Sequence, residues 1–317
     1  MHQSALPEAT RALFSNPVIE RDFADPGIIW VDGVYYAYST NNWGGNVPMA
    51  RSEDLVNWEW QGDVMPSLPP WVRYGASHVW APEVIEIDGR FLLYFTARAE
   101  RPDLQCIGVA ESTSPEGVFR PQGDGPLVCQ TEYGGSIDAS PFLDADGTLY
   151  LYWKNDGNCC GMPTHIWVQP LSEDGLSLVG ERIQLLRNRH PWEGHVIEAP
   201  TMFLHEGRYY LFYSGNAYDR DSYAVGYAFC ESALGPCTAA PENPILSSVS
   251  GENPVIGPGH QTIVRARDGS LWLAYHAWEV TPEGERGSSR HMWLDRLIWQ
   301  DERPVVLGPT VGLQRAP

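Results

Sequence analysis

This sequence predicts an all-β chain folded as a single five-bladed β-propeller of four-stranded antiparallel blades. Three observations predict it: a hairpin signal that occurs five times, a nearly constant spacing between its copies, and no break in composition that would mark a second domain. The signal is an acidic residue and a turn glycine followed by an aromatic, β-rich run. Its copies are Asp32-Gly33 before VYYAYS, Asp88-Gly89 before RFLLYFT, Asp146-Gly147 before TLYLYW, Glu206-Gly207 before RYYLFYS and Asp268-Gly269 before SLWLAYH. The glycines lie 56, 58, 60 and 62 residues apart, and periods of this order mark chains built from stacked or ringed supersecondary units.

Within each repeat the elements follow in order. The strand before the turn is read from GIIWV, EVIEI, SPFLD, PTMFL and QTIVR. The turn is a primed hairpin, because an acidic residue with Gly supplies the positive φ that such a turn needs. After the aromatic strand each repeat has room for two more strands, such as GVAES at 108–112 and AVGYAF at 224–229. Four strands repeated five times close into a ring, which leaves few open sheet edges. A single domain is read over residues 1–317, with a short N-terminal tail over about residues 1–16.

Composition narrows the function. Lys and Arg total 21 against 40 Asp and Glu, a net charge of −19, and no basic cluster interrupts the excess. Such a surface repels phosphate backbones and anionic lipid, so nucleic acid and membranes are excluded as expected partners. The 13 Trp and 15 Tyr supply flat amphipathic rings that pack in cores and stack on sugar faces. MHQSALPEATRALF lacks the basic and apolar regions of an export signal, which predicts a cytoplasmic chain; a trimmed secreted chain would read the same way. With no export signal, the six Cys are expected to be reduced structural thiols, and the adjacent Cys159 and Cys160 have no assigned purpose. The DADGT run at 144–148 lacks the further ligand spacing of a calcium loop and is read as a turn.

Counting back from the turn glycines locates the chemistry. Nine residues back stand Trp80, Asp138, Glu198 and His260, and eight back in the first repeat stands Asp25. The first strand of each blade lines the central channel, so these five positions converge on one mouth. Three carboxylates, an indole and an imidazole there suit glycoside hydrolysis. One carboxylic acid protonates the leaving oxygen while a carboxylate about 6.5–9.5 Å away activates water, and a third carboxylate can hold up the acid's pKa.

At these residues the sequence resembles glycoside hydrolase family 43, over nearly its whole length. The matching segments are NPVIERDFADPGI around Asp25, RSEDLVNW, VWAPEV, SIDASPF, VIEAPTMF, GPGHQTIV and SSRHMWLDRLIW. The resemblance implies a β-propeller enzyme with Asp25 as general base, Asp138 as pKa modulator and Glu198 as general acid. It also implies that Arg290 binds sugar hydroxyls and that Trp80 walls the pocket, with Trp43 and His78 as further contributors. His260 resembles the family's channel histidine, beside which a hydrated calcium ion can sit. No organic cofactor is implied, and the partner is an oligosaccharide; oligomeric state is left open.

The function so implied is an inverting, exo-acting β-D-xylosidase, α-L-arabinofuranosidase, or both. Dedicated β-xylosidases of the family commonly carry a C-terminal β-sandwich, whereas this chain ends about thirty residues beyond Arg290, which leaves an endo-arabinanase as the alternative. A non-catalytic glycan-binding propeller is the alternative of another class, and three converging carboxylates argue against it because neutral sugar binding needs no acid–base set. The N-D-P-N-G, R-D-P and E-C motifs of retaining five-bladed hydrolases are absent from the chain.

Overall fold

The computed structural model describes residues 12–75 and 78–317. It contains five four-stranded antiparallel sheets, each built from four consecutive strands, and a separate two-stranded pair. The inner strands, in order, are Gly27–Val31, Trp80–Ile87, Ser136–Leu143, Ile197–His205 and Ile256–Arg265. Each blade ends on an outer strand: Trp58–Asp63, Arg120–Gln122, Ile183–Arg187, Cys237–Ala239 and Arg303–Val306. Blades I to V thus follow the five sequence repeats. Among the described residues no helix is long and apolar enough to cross a membrane.

The hairpins come in two lengths. In blades I, II and IV the residue before the turn glycine is itself at positive φ, as in a two-residue primed turn: Asp32 at 48°, Asp88 at 51° and Glu206 at 49°. Blades III and V depart from that expectation. Asp146 and Asp268 keep ordinary φ, and only Gly147 (88°) and Gly269 (87°) are left-handed. There the Asp144 amide bonds the Thr148 carbonyl and the Ala266 amide bonds the Ser270 carbonyl, which enclose loops one residue longer.

Apolar side chains fill the wedges between neighbouring blades. Tyr38, Met49, Leu93 and Phe95 pack between blades I and II, and Tyr152, Val168, Leu211 and Tyr213 between III and IV. The wedge between V and I also takes Phe14, Ile19 and Phe23 from ahead of the first blade. The expected tail therefore ends earlier than residue 16; residues 1–11 lie outside the described residues. Leu13–Phe14 pairs with Gln314–Arg315, and the Asn16 side chain joins Leu294, Asp295 and Thr310. Segments near both ends of the chain are thereby fastened where blade V meets blade I.

All six cysteines are bonded, which overturns the expectation of reduced thiols. Cys230 and Cys237 are register partners on neighbouring strands of blade IV, and Cys106 pairs with Cys129 beside the Ile107–Val128 bridge. Cys159 bonds its neighbour Cys160. Strand pairing brings the first two pairs together, a proximity that sequence spacing does not reveal.

Candidate active site

Near the start of every inner strand, or just ahead of it in blade I, stands one residue other than glycine in the left-handed region. These are Asp25 (54°), Ala81 (46°), Asp138 (57°), Ala199 (52°) and His260 (52°). In blades II to V this residue lies inside a register shift, a bulge of the kind that re-aims side chains and recurs beside active sites. The left-handed residue lies eight positions before the turn glycine in the blades with short hairpins and nine before it where the loop is longer. Two expectations are corrected by this. The shorter hairpin is shared by blades I, II and IV, and Trp80 and Glu198 stand one residue ahead of the structurally equivalent position.

The bulges gather the carboxylates at one mouth. Asp25, Asp138 and Glu198 are buried, each with 7–8% of its surface exposed. Asp25 is enclosed by cations and imidazoles: its Oδ1 lies 3.0 Å from Arg290 Nη1, 3.1 Å from His276 Nδ1 and 3.3 Å from His260 Nδ1, and its Oδ2 accepts the Thr40 hydroxyl. Burial raises its pKa, but Arg290 above all, with His260, outweighs that and holds it well below the usual carboxylate range. It is therefore ionised and able to accept a proton.

Asp138 and Glu198 form a coupled pair with opposite tendencies. Burial, aided by the charges of Glu198 and Asp25, pushes Asp138 up to about 6. For Glu198 the burial penalty is outweighed by Lys154, whose Nζ lies 2.9 Å from Oε2, and by the Tyr223 hydroxyl, which donates to Oε1 at 2.8 Å. The repulsive effect expected of the third carboxylate is present, yet in the resting site it appears on Asp138, because the buried lysine favours charge on Glu198.

Arg290 lies where the resemblance placed it. Beyond its ion pair with Asp25, its guanidinium carbon is 4.8 Å from the Tyr218 ring and 5.7 Å from that of Trp278, two rings stacked at 6.2 Å. Trp80 is half-buried at the start of its strand, with the exposed His78 ring 5.8 Å away. Trp43 is fully exposed on the loop over 41–46. For calcium, His260 is the donor in question. Its Nδ1 already faces Asp25, and among the described residues no three His, Cys, Asp or Glu side chains converge as metal ligands. These residues fit only an ion that keeps most of its water, since calcium prefers oxygen donors.

Several site residues escaped the sequence reading: Thr40, Lys154, Tyr223, His276 and the Tyr218–Trp278 wall. His276 is fully buried, its Nδ1 accepts the Asp25 amide at 3.2 Å, and its ring stacks on Tyr223 at 5.7 Å. Burial, with Arg290 nearby, lowers its pKa to about 4, so it is neutral. The missed signal was another count: Thr40, Thr96, Lys154, Ser214 and His276 each stand seven residues after their turn glycine. Gly259 of the GPGH segment is explained as well, since a Cβ there would meet the Tyr223 ring at 2.1 Å.

Comparison with known proteins places this geometry in a family. A crystal structure of a thermostable family-43 glycoside hydrolase superposes with a TM-score of 0.86 at 33% identity, covering 96% of this chain and 99% of that one. The β-D-galactofuranosidase xynD of Aspergillus niger is 31% identical, over 92% of this chain and 84% of its own length. A β-xylosidase of Bacillus subtilis is 27% identical over 94% of this chain, which spans 57% of that relative. The family model for glycosyl hydrolases family 43 matches residues 14–304. With its five blades and its clustered carboxylates, the chain belongs to glycosyl hydrolases family 43 and is a glycosidase.

Proposed function

We propose that the chain is an exo-acting, inverting glycosidase that releases α-L-arabinofuranosyl or β-D-xylosyl units from the ends of oligosaccharides. The observation that carries this reading is the convergence of Asp25, Asp138 and Glu198 from the inner strands of three blades, with Asp25 held ionised and one proton available to the other two. Asp25 takes a proton from water as the water oxygen attacks the anomeric carbon. The glycosidic C–O bond breaks, and its oxygen takes the proton that the Asp138–Glu198 pair delivers through Glu198. Arg290 fixes Asp25 and presents the rest of its guanidinium to sugar hydroxyls, while Tyr218 and Trp278 hold it in place. A calcium ion beside His260 would add positive charge next to Asp25.

The names of the two relatives support release of single sugars. β-D-Galactofuranose and α-L-arabinofuranose share ring stereochemistry, so the Aspergillus relative supports a furanose pocket, and the Bacillus relative supports xylose. The test is a panel of nitrophenyl α-L-arabinofuranoside, β-D-xyloside and β-D-galactofuranoside, with and without chelator, and product analysis on xylobiose and linear arabinan. Monosaccharide as the sole product supports the reading. Mixed oligomers from arabinan would make the enzyme endo-acting, no turnover on any substrate would make it a binding propeller, and unchanged rates after prolonged chelation would remove calcium.

A further inference from the structure

A rule runs around the ring. The residue seven positions after each turn glycine is buried, lies on the second strand of its blade or, for Thr40, two residues past its end, and faces the left-handed residue of the next blade or its neighbour. In four blades it accepts the amide of the left-handed residue there. Thr40 Oγ1 takes Ala81 N at 2.9 Å, Thr96 Oγ1 takes Asp138 N at 3.2 Å, Ser214 Oγ takes His260 N at 2.9 Å, and His276 Nδ1 takes Asp25 N at 3.2 Å. Blade III breaks the rule with Lys154, whose ammonium has three donors and no acceptor.

Two consequences follow from the exception. The Ala199 amide, denied the usual partner, donates to Asp138 Oδ2 at 3.0 Å and so ties Asp138 to the bulge that carries Glu198. Lys154 Nζ instead reaches Glu198 Oε2 at 2.9 Å and Asn158 Oδ1 at 2.7 Å. The other cation at the mouth, Arg290, is committed to Asp25. A lysine buried this completely is costly unless it is paired, and its pairing here is with the reacting groups.

We propose that Lys154 is a positioning residue for proton delivery: it replaces a ring acceptor with a cation, locks Asp138 beside Glu198 through the displaced Ala199 amide, and sets the pH up to which that pair keeps its proton. The inference rests on Glu198 being the general acid. The groups facing Glu198 are Asp138 from the inner strand of blade III, Lys154 and Asp156 from its second strand and the turn beyond, Tyr223 from its own blade, His260 from blade V and Asp25 from blade I. Lys154 is the one among them that is cationic whenever the pair titrates. Its own pKa is lowered by burial but raised overall by Glu198, Asp156 and Asp138.

Lys154→Thr supplies the test, because Thr40 and Thr96 show that the ring accommodates threonine at this position. Loss of the cation stabilises the protonated pair. The basic limb of kcat/KM on arabinobiose or xylobiose should therefore move to higher pH by at least about one unit, a tenfold change in proton affinity. A folded variant with lower activity and an unmoved limb would leave Lys154 a merely structural role and overturn the proposal. Should that variant fail to fold, reciprocity offers a second measurement, since the coupling has the same size seen from either partner. The ¹⁵Nζ resonance of Lys154 should titrate at least about one unit lower in Glu198→Gln than in the native enzyme, and an unchanged titration would refute the coupling. The acid assignment fails separately. Were Glu198 not the acid, Glu198→Ala would lose the same factor on a dinitrophenyl glycoside as on the disaccharide, whatever the lysine does.

Discussion

Asp25 shows how much one residue owes to its neighbours. An aspartate before a proline is ordinarily a turn former; here Arg290, His260 and Thr40 surround its carboxylate and keep it charged in a buried place, while His276 holds its backbone amide. Asp25→Asn keeps the shape and removes the ability to take a proton from water, so turnover should fall at least about a hundredfold with the fold unchanged. Steady-state kinetics beside circular dichroism checks this, and activity above about one per cent would remove Asp25 from the role of base. The carboxylates and Arg290 were legible in the sequence because each is tied to a turn glycine or a compact motif. Their partners were not. His276 and Lys154 sit inside aromatic strands that read as core, and only the pairing of one blade's second strand with the next blade's bulge discloses what they touch.

At the scale of the element, the inner strand with its bulge is the functional unit. The five strands and their hairpins could be read directly, since period-2 runs and turn glycines are local signals. The bulge could not, because it depends on register against the second strand, and a loop one residue longer in blades III and V shifts the count. That is why Trp80 and Glu198 were set one residue out of line with Asp25, Asp138 and His260. Gly259 tests the packing of one such bulge. It is not left-handed, so its requirement is space alone: Tyr223 lies where a side chain would go, and Tyr223 bonds Glu198. Gly259→Ala should cost about 1–3 kcal/mol as an overpacked site and should lower kcat more on a disaccharide than on a dinitrophenyl glycoside. Thermal melts and kinetics on the two substrates measure both effects; a variant indistinguishable from native would show that Tyr223 has room to move without consequence.

At the scale of the whole molecule, the ring needs a fastening, because each blade is built from consecutive strands and none is shared between segments near the two chain ends. The Leu13–Phe14 pair with Gln314–Arg315 and the Asn16 side chain supply it where blades V and I meet. Asn16 Oδ1 accepts the Leu294 amide at 2.8 Å, and its Nδ2 reaches Leu294, Asp295 and Thr310. Asn16→Ala leaves buried partners unsatisfied and should lower stability by about 1–3 kcal/mol, read from the denaturant midpoint, with kcat at low temperature unchanged. The propeller was visible in the spacing of its repeats. The fastening and the disulfides were not, because both join positions whose proximity exists only after the ring has formed. What the ring accomplishes is to face an ionised aspartate and a proton-bearing pair across one mouth, an arrangement for single displacement by water. Proton NMR of the sugar released in the first moments of turnover tests this most directly: the new anomer should have the configuration opposite to that of the substrate, and retention would contradict the account by making one of the carboxylates a nucleophile.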